Sequence, residues 1–277
     1  MKHKSLTSWF TYAALFAATF LASACSPRCA TPETNPGPAS LEDLEGKKVA
    51  VMAESTSDVL LSDTNNFTGI TIVRCSSPSE LLTVMEEGGA DYGITDTVAL
   101  MARRHNHKSL QVCFNLPGGF DVAVAFNHKN IELCQEFNDF LVQIKSDGTL
   151  DEMFARWCSE SLDTVHIPQL PELESLQGHP IEVATLADNE PFSFYRNNRW
   201  TGFEVELIMR FSIFAGRPVH FSGYSFSEII PLLRQGQADM AAANMFITPD
   251  RADQVLFSHP YYLCKTCCFT SITPNGR

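Results

Sequence analysis

A handful of residues in this chain have types and spacings that can do chemistry. Arg251 follows Thr248-Pro249-Asp250 and precedes an apolar run that ends in Phe257-Ser258-His259-Pro260-Tyr261-Tyr262. An arginine is a planar fork of donors that fits a carboxylate with two parallel bonds; in a helix's first turn it sits equally well in solvent. Asp96 closes the run ADYGITD and brings a carboxylate, whose other use is to cap the helix that follows. Ser55 and Thr56 place hydroxyls at a turn that opens a helix. Phe192 and Tyr195 have flat apolar faces that suit a bound solute or a core. His105, His107 and the cluster Cys264, Cys267, Cys268 raise the question of a metal or a redox pair. Zinc would need a second Cys-x-x-Cys or a histidine pair nearby, and none follows. The cluster reads instead as an apolar strand over residues 261–272 with cysteine as a small hydrophobe, and the histidines as a solvated loop. No metal and no cofactor is expected.

The elements that must hold these groups are announced by a repeat. Residues 79–93 read SELLTVMEEGGADYG and residues 227–241 read SEIIPLLRQGQADMA. Each opens with Ser-Glu, a helix start. Each continues with paired aliphatics (Leu81, Leu82; Ile229, Ile230), a helix-ending glycine (Gly88; Gly236) and Ala-Asp leading into a strand. Pro231 is placed near the first turn, where a missing N–H does little harm. A second echo precedes each copy, LEGKKVAV at 44–51 and LQGHPIEV at 176–183. The pattern predicts two α/β units, each with a parallel sheet covered on both faces. In the second unit, residues 181–186 and 218–224 are strands. A helix over 202–216 lies between them, with Leu207, Ile208, Phe211 and Phe214 on one stripe and Gly216 at its end. Between the units the spacing predicts helices over 131–146 and 150–157, broken at Asp147-Gly148, with residues 149–152 as a capping box. Residues 159–180 contain three prolines and read as a linker.

The formal charge of −12 argues against nucleic acid or an anionic membrane surface as a partner. Lys2 and Lys4 followed by an apolar run over 9–21 make a secretory signal, too short for a bilayer span of about 20 residues. Cys25 follows Leu-Ala-Ser-Ala in the manner of a lipoprotein cleavage site, with Ala22 where leucine is usual; ordinary cleavage beside an incidental cysteine is the alternative. Residues 26–40, rich in Pro, Thr and Ser, read as a tether.

Together these motifs resemble the type II periplasmic solute-binding proteins of family 3, the amino-acid binders of ABC importers, over nearly all of the chain beyond the signal. The matching pieces are PFSFY at 191–195, GFEVEL at 202–207, the run from Met245 to Tyr262, LEGKKVAVMAEST, and DGTLDEMFARW. They stand in another order than in that family, which implies a circularly permuted two-lobed α/β fold, or a piece of a longer tandem protein. The expected organisation is a signal peptide at 1–24, a tether at 25–42, and one lobe from 43–130 plus 266–277. Helices at 131–160 return to the other lobe, a linker spans 161–180, and the other lobe covers 181–265. Residues 119–125 and 262–268 would be the hinge.

The resemblance implies roles. Arg251 would grip an α-carboxylate, Asp96 an α-ammonium, Ser55 and Thr56 the carboxylate from the opposite lobe, and Phe192 and Tyr195 would stack on the solute. Phe246 stands where the family has a hydroxyl, and Glu54 where it has glycine. The first removes a donor; the second adds a negative charge beside the site. The implied protein is a monomeric, exported, membrane-anchored lipoprotein lacking enzymatic activity, which hands an amino acid or similar solute to an ABC permease. An enzyme of the cyclohexadienyl dehydratase kind, with Glu54 as its acid or base, and a ligand-sensing lipoprotein are the alternatives.

Overall fold

The computed structural model describes residues 37–63, 67, 69–104, 106–158, 165 and 167–272. The signal, Cys25, most of the tether, His105 and part of the linker lie outside the described residues. Among those described, no helix is long and apolar enough to cross a membrane.

The chain builds two sheets on one plan. The first begins with β1 (Lys48–Met52), α1 (Thr56–Ser62), β2 (Thr71–Cys75), α2 (Pro78–Glu86), β3 (Tyr92–Asp96), α3 (Thr97–Arg104) and β4 (Leu110–Asn115). Then come β5 (Phe120–Phe126), α4 (Ile131–Ser146) and α5 (Thr149–Trp157). The second half has β6 (Ile181–Thr185), β7 (Asp188–Asn189), β8 (Ser193–Arg196), β9 (Arg199–Thr201), α6 (Phe203–Ala215), β10 (Val219–Gly223), α7 (Phe226–Gln235), β11 (Met240–Phe246), α8 (Pro249–Ala252), β12 (Leu256–Phe257), β13 (Tyr262–Cys264) and β14 (Thr266–Ser271). One sheet runs β2-β1-β3-β14-β4 and the other β10-β6-β11-β5-β12, with β7-β8-β9 as a small third sheet. In each large sheet three parallel strands are followed by an antiparallel one: β14 against β3, and β5 against β11. That fourth strand comes from the other half of the chain, so the sheets exchange strands.

The repeat is therefore structural, and four local expectations need correction. α2 and α7 are capped two residues earlier than Ser-Glu suggests, by Ser77 and Ser225: Ser77 Oγ accepts the Glu80 N–H at 3.2 Å, and in α7 Glu228 completes a capping box with Ser225. Pro231 consequently lies inside α7. α5 has Gly148, at φ +82°, as its N-cap, and the Asp147 carboxylate accepts the Thr149 N–H at 2.9 Å in place of a capping box. Phe214 is 43% exposed, leaving Leu207, Ile208 and Phe211 as the buried part of the α6 stripe.

The crossings also differ from expectation. β5 belongs wholly to the β6 sheet, although it falls within the 43–130 lobe read from sequence. The cysteine-rich run is two strands in two sheets: β13 pairs with β5 and β14 with β3 and β4. The crossings are residues 116–119 and Lys265. Their ends lie side by side, since the Leu116 N–H bonds the Thr266 carbonyl at 2.9 Å. Residues 119–125 and 262–268 are thus mostly paired strand rather than free hinge.

Both faces of each sheet are buried. Cys267 and Phe269 enter one core of the β1 sheet and Cys268 the other, as strand alternation requires. The largest core packs β5, β6 and β11 against α4, α5 and α6, with Phe137, Phe140 and Phe211 in mutual ring contact. Within it the buried Glu206 receives Trp157 Nε1 and Arg156 Nη2 at 2.7 Å and Arg210 Nε at 2.9 Å, which ties α5 to α6.

The start of α6 is docked on the loop before β8: Phe203 and Glu204 donate their N–H groups to the carbonyls of Pro191 and Phe192 at 2.9 and 2.8 Å. Gly202 permits this at φ +131°, and a Cβ there would lie 2.2 Å from the Phe192 oxygen. Gly202→Ala is expected to cost at least about 2 kcal/mol, from the strained dihedral alone. Urea unfolding tests this, and a midpoint equal to that of the parent protein would show the docking to be misread.

Candidate functional site

A cavity of about 90 Å³ lies between the two sheets. From the β1 sheet its lining takes Ser55 and Thr56 at the β1–α1 turn and Asp96 at the end of β3; from the β6 sheet it takes Asn244, Phe246 and Arg251. The strand ends of both parallel sheets meet there, the usual place for a ligand in such architectures.

Arg251 is positioned by α8. Thr248 caps that short helix by accepting the Arg251 N–H, Pro249 follows, and the side chain turns inward, 8% exposed. Its guanidinium donates to the Phe246 carbonyl and, across to the other sheet, to the Glu54 carbonyl, both at 3.1 Å. Its Cζ lies over the Phe226 ring, 5.0 Å from the ring centre. Burial pulls its pKa down to about 10 against the opposing charge of Glu54, so it stays a cation at neutral pH. Two carbonyls leave about three of its five N–H groups for a ligand.

Asp96 fills both of its anticipated uses. It lines the cavity, and its Oδ1 caps α3 through the N–H groups of Val98 at 2.6 Å and Ala99 at 3.1 Å. Its Oδ2 accepts Cys264 Sγ–H at 2.7 Å, Asn244 Nδ2 at 3.1 Å and the Tyr262 hydroxyl at 3.3 Å, all from strands of the β6 sheet. Burial nevertheless raises its pKa, with these donors opposing. Asp96 is therefore a buried carboxyl whose oxygens are already engaged by protein donors.

The remaining expected residues divide. Ser55 caps α1 by accepting the Asp58 N–H at 3.2 Å, and with Thr56 lines the cavity. Phe246 lines it too, its ring stacked 4.9 Å from that of Phe120. Glu54 keeps the glycine-like backbone, with φ at 59°; its side chain is exposed and only its carbonyl reaches Arg251. Phe192 is fully buried in the core against Phe203 and Tyr262, and Tyr195 is 52% exposed against Trp200. Neither lines the cavity, because β8 turns its apolar side toward α6. Their place is taken by Phe226 and Leu186.

Two residues at the site carried no sequence expectation. Asn244, held at φ 48°, donates its backbone N–H to Glu204 Oε1 at 2.8 Å and its amide to Asp96, linking two carboxylates. Glu204 is fully buried; the Tyr261 hydroxyl also donates to its Oε1, while Oε2 has no hydrogen-bond partner. Burial pushes its pKa up to about 7, further aided by the charge of Asp96 and opposed by the two donors. The available signal was the acid inside the apolar motif GFEVEL.

Residues 181–272, from β6 through β14, match the model of bacterial extracellular solute-binding proteins, family 3. A probable histidine-binding protein of Campylobacter jejuni is 33% identical over 85 residues, covering 31% of this chain and 33% of that protein. A putative ABC transporter arginine-binding protein of Escherichia coli is 36% identical over 91 residues, covering 32% and 37%. The membrane-bound lytic murein transglycosylase F of Cellvibrio japonicus is 26% identical over 132 residues, covering 46% and 27%. The chain thus spans about a third of the length of the curated relatives it matches. Among solved structures, an ancestral arginine-binding protein bound to glutamine is 36% identical over 31% of this chain and 39% of its own, at a TM-score of 0.30.

Proposed function

We propose that this chain, whose residues 181–272 match the bacterial extracellular solute-binding proteins of family 3, captures an amino acid in the cavity between its two sheets for an ABC importer. The observation that carries this is Arg251, a buried cation with donors to spare, lining a cavity shared by both sheets. Arg251 takes the ligand carboxylate, assisted by Ser55 and Thr56, while Asp96 presents its charge toward the ammonium through a shell of protein donors. Phe246 and Phe226 form the apolar wall. Names of relatives that bind histidine and arginine favour a basic amino acid, and the acidic groups Asp96, Glu204 and Glu54 around the site agree in sign.

Anchoring through Cys25, delivery to a permease and closure about residues 116–119 and Lys265 belong to the same reading. So does circular permutation. Its support is that strands 48–126 and 181–271 complete each other's sheets, with the family segment second in the chain. An enzyme on this fold is less well supported. Glu54 points to solvent, and Asp96, a carboxylate lining the cavity, is engaged by five donors.

Thermal unfolding with each of the twenty amino acids tests the proposal. A ligand at a hundredfold its dissociation constant stabilises the native state by about 2.7 kcal/mol, and a raised midpoint with one basic amino acid or a small group is expected. A cooperative transition that none of the twenty shifts would remove amino-acid capture from consideration.

A further inference from the structure

The two sheets also touch outside the Arg251 cavity. Arg103, in the last turn of α3 and 7% exposed, donates its guanidinium to the backbone carbonyl of Asp188 in β7. The Asp188 carboxylate in turn accepts the Ser79 N–H, in the first turn of α2, at 3.3 Å. One short strand beside the β6 sheet is therefore held at two points by helices of the β1 sheet. A crevice lined by Thr83, Asn106, His107, Glu190 and Tyr195 surrounds this contact and shares no residue with the cavity lining.

The chemistry suits a contact that exists in one arrangement of the sheets. Burial of Arg103 disfavours its charge, and the nearby charges of Glu190 and Asp188 oppose that penalty. A buried guanidinium needs such partners. If the sheets part, Arg103 and the Ser79 N–H exchange these protein partners for water, so the contact weights the closed arrangement without touching a solute. We propose that Arg103 and Asp188 form a clasp that sets solute affinity from outside the cavity by favouring closure of the two sheets. The inference rests on the reading that the solute is bound between them. Apparent affinity scales with the fraction of protein in the competent arrangement, so weakening the clasp weakens binding while leaving every solute contact in place.

The test uses the full chain and the variants Arg103→Gln and Asp188→Ala, the second a milder change at a partly exposed position. Solution X-ray scattering is recorded without ligand and with saturating L-arginine, or the amino acid that most raises the unfolding midpoint. Affinity for the same compound is measured by calorimetry. The expected result is a larger ligand-free radius of gyration in both variants, convergence with the parent protein at saturation, and affinity weaker by about five- to tenfold. Ligand-free scattering identical to the parent's in the folded variants overturns the clasp. If no amino acid binds the parent protein, the capture reading fails, while the ligand-free scattering still decides whether Arg103 and Asp188 hold the sheets together.

Discussion

Arg251→Ala is expected to weaken solute binding by at least about a hundredfold. Charge-assisted hydrogen bonds contribute about 1.5–3 kcal/mol each, and a bidentate grip on a carboxylate involves two of them. Each 1.4 kcal/mol is a factor of ten in affinity. The loss extends beyond the ligand's bonds. Arg251 also joins the two sheets through the Phe246 and Glu54 carbonyls, so truncation leaves those two acceptors without their donor and removes the cation lying against Phe226. Arg251→Lys separates charge from geometry. A lysine keeps the cation, but three donors on one atom cannot serve two carbonyls and a carboxylate in a plane, so it is expected to recover little of the affinity. Calorimetric titration of both variants with the bound amino acid measures this. Binding by Arg251→Ala within threefold of the parent value would move the carboxylate site elsewhere. Near-complete recovery by lysine would mean that charge alone is read there.

What was legible in the sequence was local. β1, β6 and β10 announce themselves as short apolar runs, α4 and α6 as periodic stripes, and Gly216 and Gly236 end their helices in the left-handed conformation. Arg251 was legible because the whole run through Tyr262 carries it. Pairing across the chain was not. That β5 completes the β6 sheet and β14 the β1 sheet depends on contacts between residues more than a hundred positions apart, to which periodicity is blind. The cysteine-rich run looked like one strand because Lys265, where the chain changes sheets, is the one charged residue between Tyr261 and Ile272. Phe192 and Tyr195 have the composition of a solute wall, and only the fold of β8 onto α6 decides that one is core and the other surface. Glu54 was legible as a replacement for glycine but not in its consequence, which is that the strained backbone persists and presents its carbonyl to Arg251.

Glu204 leads to a prediction opposite to the usual behaviour of carboxylates. Its pKa rises from an ordinary 4.5 to about 7 in the folded protein, chiefly because burial penalises the anion. Between those values the native state holds a proton that the unfolded chain has released. Stability from this group is therefore complete below about pH 4.5, declines as pH rises toward 7, and is lost above it. At 1.36 kcal/mol per unit, the loss is about 3 kcal/mol. Glu204→Gln removes the ionisation yet keeps an oxygen for the Asn244 N–H and the Tyr261 hydroxyl, and the atom it changes, Oε2, has no bond to lose. The variant should be more stable than the parent at pH 8 by about 3 kcal/mol, with the advantage vanishing near pH 4.5. Asp96, also raised by burial, adds a decline of the same sign in both proteins, so the difference between them reads the Glu204 ionisation together with its coupling to Asp96. Urea unfolding of the pair at pH 4.5, 6, 7 and 8 measures it, and an advantage independent of pH would mean that the glutamine acts through packing and that Glu204 is ionised throughout. Because Glu204 and Asp96 both bond Asn244, a proton on Glu204 also changes the charge beside the cavity. Binding of a basic solute should strengthen over the same interval in which the fold weakens, since the carboxylate that costs stability is the one that attracts the ligand.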